Sequence, residues 1–228
     1  MKKNDSSAFT LIELLVVIAI IAVLASFAVP AITSALTKGQ LVGTVNNARQ
    51  FYLAGYQMAL DGNTNADINY NWPGDYNPAV TTLSAYSSRL VTNQYLKTGD
   101  LAKLLSGPGA IVGATSTTDA AGTTTVVLSG TPGLKVYELK DGDSANTIFA
   151  VSANYTYNTP LPTATSPFGD KGFVVIRKGG DCLSLRKNNA LAANYANPSA
   201  FQSAVGKLPG DVDGTLGAES AALLLAFP

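Results

Sequence analysis

The sequence predicts an α+β protein in which one long N-terminal helix packs on an antiparallel β-sheet head. Three observations lead to this fold class. An apolar segment opens the chain at 9–29, apolar residues then recur at steps of three or four positions, and short β-rich runs separated by turns fill 134–186. A helical period followed by several short strands is typical of an α+β arrangement.

Composition removes several function classes before any motif is considered. The 228 residues contain 15 Lys and Arg against 15 Asp and Glu, so no nucleic-acid partner is indicated. Histidine is absent, which excludes Ser-His-Asp and Cys-His nucleophilic sites and histidine-ligated zinc. The single cysteine, Cys182, has no partner within the chain for a disulfide.

The first element is long enough to cross a membrane. Phe9–Val29 has Glu13 as its only charge, and as a helix it spans about 31 Å, against about 30 Å for a bilayer core. Lys2 and Lys3 precede it, which predicts a cytoplasmic N-terminus. A cleaved secretory signal and a plain single-span anchor are the alternatives, but neither explains a carboxylate inside the span.

The helical pattern continues beyond the apolar segment. Asp61 and Gly62 supply a stop signal, so the helix is predicted to be about 50 residues long and weakened at Pro30 and Gly39. Its second half is amphipathic, as expected for packing on a globular head. The residues that mark its apolar face are Ile32, Leu36, Val42, Val45, Tyr52, Tyr56 and Ala59.

The region between helix and sheet is rich in turns. Thr82–Tyr95 and Asp100–Leu105 are helical candidates, the second with Asp100 as its N-cap. Residues 113–133 form a low-complexity excursion that is either mobile or hairpin-like. The aromatic residues around the 71–75 turn are expected to pack under a loop rather than stack on a ligand; they are Tyr70, Trp72 and Tyr76.

Strand signals follow, and the clearest is a hairpin. Two apolar runs, 173–177 and 182–185, flank the turn Lys178-Gly179-Gly180-Asp181. The predicted strands are Leu134–Lys140, Asn146–Tyr157, Gly172–Arg177 and Cys182–Arg186. The tail is loop-like, and its apolar end at 221–227 is expected to tuck against the sheet or add an edge strand.

These features divide the chain into six segments. They are a leader, a helix that spans a membrane or, by the resemblance described next, forms a filament core, an amphipathic helix half, a helix-to-sheet variable region, an antiparallel sheet and a C-terminal loop region: 1–8, 9–30, 31–62, 63–133, 134–186 and 187–228.

The string from Ala8 to Ile20, AFTLIELLVVIAI, closely resembles the class III signal of type IV pilins and type II secretion pseudopilins. The resemblance implies that a prepilin peptidase cuts between Ala8 and Phe9 and methylates the new amine of Phe9. It makes Glu13 the fifth mature residue, where the family carries its glutamate, and Pro30 the twenty-second, where many members carry a proline. The chain departs from the family in having Ala8 where glycine is preferred before the cut.

Glu13 is also expected on physical grounds to serve assembly. A carboxylate in the first turn suits the positive end of the helix dipole. In a filament it could pair with the Phe9 amine of a neighbouring subunit and fix the axial register, because a mismatched register would leave a charge unpaired. A glutamate that merely snorkels at the membrane surface is the alternative.

One acidic cluster suggests a metal. Asp211 and Asp213 precede Gly214, and Glu219 follows, a pattern of oxygen ligands around a turn that suits calcium. The full EF-hand template fails, and a plain Asp-Gly turn is the other interpretation. Major pseudopilins, which hold calcium in a C-terminal loop, resemble this loosely. No other cofactor is indicated.

The sequence therefore predicts a non-catalytic filament subunit of the inner membrane, with a periplasmic head that later joins a periplasmic or cell-surface filament. Its expected partners are copies of itself, other pilins or pseudopilins, the prepilin peptidase and an inner-membrane assembly platform. The lack of a disulfide and the acidic loop favour a secretion pseudopilin. An extracellular pilus subunit is the close alternative, and a membrane-anchored periplasmic binding or enzymatic domain is a more distant one.

Overall fold

A computed structural model describes residues 10–228, which form four α-helices and two antiparallel sheets. The chain divides into two compact units, one ending at Gly39 and one covering Gln40–Pro228. The predicted α+β class, with a long apolar helix before an antiparallel head, is confirmed. The helices are α1 (Leu11–Asn65), α2 (Leu83–Thr92), α3 (Thr98–Leu105) and α4 (Pro198–Ala204). The strands are β1 (Val112–Thr118), β2 (Thr124–Gly130), β3 (Leu134–Val136), β4 (Ile148–Ser152), β5 (Phe173–Arg177) and β6 (Cys182–Leu185).

The first half of α1 leaves its apolar side chains uncovered. From Leu11 to Leu36 every residue is exposed, and Phe27 keeps 76% of its surface accessible. Among residues 10–228, α1 is the helix long and apolar enough to cross a membrane. It runs through Pro30 without a break, although proline has no N–H to donate to the carbonyl of Ser26 one turn earlier.

The second half of α1 contributes the centre of the head's main core. Ala48, Phe51 and Met58 are fully buried there. The Phe51 ring stacks on Phe149 of β4 at 5.9 Å between centroids and meets Tyr86 of α2 edge-on at 6.2 Å. A helical face with small and large apolar residues in alternation lets α1 approach both the sheet and α2 closely.

The end of α1 differs from the prediction. The helix continues past Gly62 to Asn65, and Gly62 is buried rather than a stop signal. A Cβ at Gly62 would lie 1.6 Å from the carbonyl oxygen of Tyr70, so the chain needs glycine here for close approach. The terminus is a Schellman motif: Ala66 has φ of +53°, and the Asp67 N–H donates to the Gly62 carbonyl at 3.1 Å.

The four-stranded sheet has the order β3-β4-β5-β6, antiparallel throughout. The predicted hairpin is confirmed, with Val174 opposite Ser184 across β5 and β6. Gly180 in its turn has φ of +90°, a conformation that favours glycine. Strands β4 and β5 are buried along their whole length, because both faces of the sheet are covered. Trp72 is also buried in the core, as predicted.

Residues 113–133 form the hairpin that was one of the two expectations, since β1 and β2 pair over seven positions. Three hydroxyls on α2, spaced four residues apart, accept the outward N–H groups of alternate β2 residues. Four helical residues rise about 6 Å and two strand residues about 6.6 Å, so the spacing of the α2 hydroxyls matches the spacing of the β2 N–H groups. The pairs are Ser84 with Leu128, Ser88 with Val126 and Thr92 with Thr124, at 3.3, 2.8 and 2.9 Å.

The start of α3 and the C-terminal segment complete the structure of the head. Helix α3 begins at Thr98, so Asp100 lies in its first turn and is not the predicted N-cap. The C-terminal segment adds pairing at the edge of β3, where the Leu225 N–H donates to Val136 at 2.8 Å and the Glu138 N–H donates to Leu223 at 2.9 Å. The tail therefore covers the sheet edge, one of the two outcomes expected for it.

Candidate functional site

The candidate site is the first turn of α1, where Thr10 and Glu13 form a capping box. The Thr10 backbone N–H donates to Glu13 Oε2 at 2.9 Å, and the Thr10 hydroxyl donates to the same oxygen at 2.7 Å. In return, the Glu13 N–H donates to the Thr10 hydroxyl at 3.3 Å. A threonine at the N-cap with a glutamate three residues later satisfies N–H groups that the start of a helix leaves without partners.

The sequence prediction singled out Glu13 and missed Thr10. The signal was present, because Thr-x-x-Glu directly before an apolar run is the sequence form of a capping box. The box holds the carboxylate of Glu13 at the N-terminus of a helix that carries no other charge before Lys38. Among residues 10–228 both bonds reach Oε2 and none reaches Oε1, so the carboxylate retains acceptor capacity.

The apolar surface around Glu13 belongs to the same site. Ile12, Val16 and Val17 lie beside the carboxylate on α1 and are exposed. One helical turn after Pro30, the Thr33 hydroxyl donates to the Pro30 carbonyl at 3.0 Å, which keeps that polar group bonded within the helix. An apolar helix surface with a single acceptor at its start can bind a second apolar helix and one cation.

The processing residues Ala8 and Phe9, together with the leader 1–8, lie outside the described residues. The cut between Ala8 and Phe9 and the methylation of Phe9 therefore stay predictions. The same holds for the assembly role of Pro30.

The structure does not bring the three predicted calcium ligands together. Glu219 is nearly buried and pairs with Lys135 at 2.5 Å, while its other oxygen accepts the Tyr137 hydroxyl at 2.7 Å. Asp213 pairs with Lys207 at 2.8 Å, and Asp211 accepts a backbone N–H. Within residues 10–228 no group of three or more acidic, Cys or His side chains is placed to hold a metal. Calcium binding remains a prediction, which melting with and without calcium would test.

The contacts of Glu219 indicate a structural role for this residue. Burial, reinforced by the Glu219 carboxylate, holds the pKa of the Tyr137 phenol well above its usual range, so Tyr137 stays a hydrogen-bond donor. The backbone N–H of Tyr157 donates to the same carboxylate at 2.9 Å. Glu219 thus ties the C-terminal segment to the sheet.

Cys182 is a free, half-buried thiol at the start of β6. Burial raises the pKa of its thiol, so little of it is the reactive thiolate at neutral pH. This environment fits the small apolar packing role expected from the sequence.

Comparison with known proteins bears on the N-terminal end of the chain. The family model of the prokaryotic N-terminal methylation motif matches residues 3–29, a range that includes Thr10 and Glu13. No curated protein and no solved structure matches the chain. Together with the apolar helix that begins at Leu11, the match shows that this chain carries the class III signal of type IV pilins and pseudopilins.

Proposed function

We propose that the chain is a non-catalytic structural subunit of a type IV pilus-like filament, and that it is a pseudopilin of a type II secretion system. The observation that carries the proposal is Glu13, a lone carboxylate held at the start of an uncovered apolar helix, inside a matched methylation motif. Such a helix inserts in a membrane as a single span and then packs against identical helices in a filament.

Glu13 sets the register between subunits. After the cut, the Phe9 amine is largely cationic at neutral pH, since its reference pKa is about 8 and methylation keeps the charge. Glu13 Oε2 is occupied by Thr10, so Oε1 is the oxygen that accepts a neighbour's amine. The capping box need not open for this contact. A register that misses it leaves a buried ammonium without a counter-charge, which disfavours that register.

The second half of α1 offers a further contact. Four apolar side chains lie within one narrow face of the helix and are between 42% and 56% exposed; they are Val42, Leu53, Tyr56 and Leu60. An apolar stripe of this kind is typical of an interaction surface. Neighbouring subunits cover it when the filament forms.

Processing and partners follow from the same signal. Prepilin peptidase removes residues 1–8 on the cytoplasmic side, where Lys2 and Lys3 hold the leader, and the small Ala8 permits the cut. The head is then periplasmic, and an inner-membrane assembly platform adds subunits to the filament. Intact-mass measurement on membrane or filament material is expected to find a chain that starts at N-methylated Phe9. A mature chain that retains Met1 would overturn the proposal.

Substitution of Glu13 tests the register contact. Glu13→Ala is expected to leave membrane insertion intact, because the span becomes more apolar, and to abolish or sharply reduce filament yield. Glu13→Gln should be nearly as poor, since it keeps the shape and loses the charge, and Glu13→Asp should be intermediate. Filaments sheared from cells are quantified against the membrane level of each variant.

Thr10→Ala is the matched control, because it removes both hydrogen bonds of the Thr10 hydroxyl and keeps the Glu13 carboxylate. If Glu13 acts through the neighbour's amine, Thr10→Ala assembles much better than Glu13→Ala. Equal loss in both variants would mean that Glu13 serves only as a helix cap. If Glu13→Ala gives the wild-type filament yield, Glu13 does not set the register and the segment is better interpreted as a plain membrane anchor.

An extracellular pilus subunit is the second candidate. The match to the methylation motif supports it equally, because pilus subunits and pseudopilins share this signal. Deleting the gene separates the two functions. A pseudopilin deletion stops the release of secreted proteins and leaves surface filaments in place, whereas a pilus-subunit deletion removes the filaments and leaves secretion unchanged.

A further inference from the structure

A polar groove lies in the head between α2 and the turn that follows α1. Asp67, Asn69 and Tyr70 line one side, Arg89 and Asn93 line the other, and 123–125 close one end. Its volume is about 590 Å³. This lies within the roughly 300–1,000 Å³ that is usual for small-molecule sites.

Arg89 is fixed in position, and among residues 10–228 its guanidinium has no polar partner. Its guanidinium carbon lies 5.1 Å from the ring centroid of Tyr76, a cation–π contact that restrains the side chain. Tyr76 is itself anchored, because its hydroxyl donates to the Asn69 carbonyl at 3.2 Å. In the part of the chain that the structure describes, no hydrogen bond or ion pair reaches the Arg89 guanidinium. Its planar fork of N–H donors is therefore free to bind a ligand.

Asp67 supplies an acceptor in the same groove. Its Oδ1 accepts the backbone N–H and the side-chain amide of Asn69, both at 2.9 Å, which fixes the carboxylate. Its Oδ2 accepts no hydrogen bond from residues 10–228, and no ion pair joins Asp67 to Arg89 within that range. The groove thus presents fixed donors and a fixed acceptor whose charges balance.

Tyr70 adds an aromatic surface beside these groups. Its half-buried ring is held edge-on by Tyr95, with 6.3 Å between centroids and 82° between planes. The hydroxyls of Ser88 and Thr92, which also line the groove, are already bound to β2. Ligand recognition therefore depends on Arg89, Asp67 and Tyr70.

We propose that this groove binds a neutral saccharide. A sugar hydroxyl both donates and accepts, so adjacent hydroxyls can accept from Arg89 and donate to Asp67, while the C–H face of the ring packs on Tyr70. An anion would satisfy Arg89 and be repelled by Asp67, and an apolar ligand would leave both charges without partners. The groove contains no residue of the first half of α1 and none of the exposed stripe of its second half, so it is separate from the helix surfaces proposed for filament contacts.

The test uses the full chain in a detergent that has no sugar headgroup. Cellotriose and N,N′,N″-triacetylchitotriose are the neutral probes, and sulfate and trigalacturonate are the anionic ones. Binding is followed by saturation-transfer NMR and calorimetric titration. At least one neutral trisaccharide is expected to bind. Arg89→Ala, Arg89→Lys and Asp67→Asn are each expected to weaken that binding about tenfold or more, since each removes a charge-assisted hydrogen bond or its fork geometry.

Arg49→Ala is the matched control, because Arg49 is an exposed arginine on α1 that does not line the groove. It should leave binding unchanged. Melting followed by Trp72 fluorescence checks that each variant is folded. If Arg89→Ala does not fold, Arg89→Lys and Asp67→Asn still test the proposal. The proposal is overturned if neither neutral trisaccharide binds, if only the anionic probes bind, or if the groove variants bind as the wild type does. Filament yield of Arg89→Lys should match the wild type, which separates this outcome from that of the filament proposal.

Discussion

The two halves of α1 share one continuous backbone and differ in what surrounds them. Every residue from Leu11 to Leu36 is exposed, whereas Gln40–Asn65 buries one face in the head's core. The difference teaches that helix formation and fold stabilisation are separate contributions here. The first half begins at the Thr10–Glu13 cap and keeps its apolar side chains exposed, and the second half contributes buried side chains to the head's main core.

The largest effect is expected from matched phenylalanine truncations in the two halves. Phe51→Ala should lower the free energy of unfolding of the head by about 3–5 kcal/mol, because it empties a fully buried site. Phe27→Ala should leave it unchanged, since Phe27 is exposed. Melting of the full chain in detergent, followed by the fluorescence of buried Trp72, measures both. Equal destabilisation would contradict the division between the halves.

Glycine substitutions in the second half give the next effect. Gly62→Ala should destabilise the head by about 3 kcal/mol, since its Cβ would overlap the Tyr70 carbonyl. Gly43→Ala is the control: apart from the adjacent backbone of α1 itself, no atom lies within 4 Å of its Cβ position, so alanine should gain up to about 1 kcal/mol of helix stability. Chemical denaturation of the two variants compares them directly. A neutral Gly62→Ala would mean that the 67–70 turn moves away at little cost.

The smallest effect concerns the end of the second half. Ala66→Gly is expected to stabilise the head by about 1 kcal/mol, because Ala66 has a positive φ that glycine adopts without strain. Ala66→Val should act in the opposite direction, since a β-branched side chain is least tolerated there. The same denaturation experiment applies. Destabilisation by Ala66→Gly would show that the Schellman motif does not form in solution.

Most of this fold could be predicted because its signals are local. The apolar segment, the periodicity of α1 and the Lys178–Asp181 hairpin turn each depend on residues adjacent in sequence. The end of α1 could not be predicted in this way. Gly62 is required by the close approach of the Tyr70 backbone, and Ala66 stands where a glycine usually marks a Schellman terminus. The sequence therefore predicted the end of α1 at Gly62, three residues before the helix ends at Asn65.

Of the two residues in the candidate site, the sequence indicated Glu13, whose role in assembly stays a prediction. Glu13 was found from its charge in an apolar run, and Thr10 was overlooked although its spacing was readable. The acidic loop shows the limit of spacing arguments. Lys135 is distant in sequence from Glu219, and only the fold reveals that it neutralises one of the proposed calcium ligands. Long-range ion pairs leave no local pattern to detect.

The three α2 hydroxyls that bind the backbone of β2 also limit aggregation through the edge of that strand. An open strand edge can recruit a strand from another molecule and start aggregation. The proposed filament would hold many heads at high local concentration, where such recruitment would compete with ordered assembly. Because Ser84, Ser88 and Thr92 occupy the outward N–H groups of β2, this edge of the hairpin is kept from recruiting another strand, although neither strand carries the lysine or proline that often guards an edge.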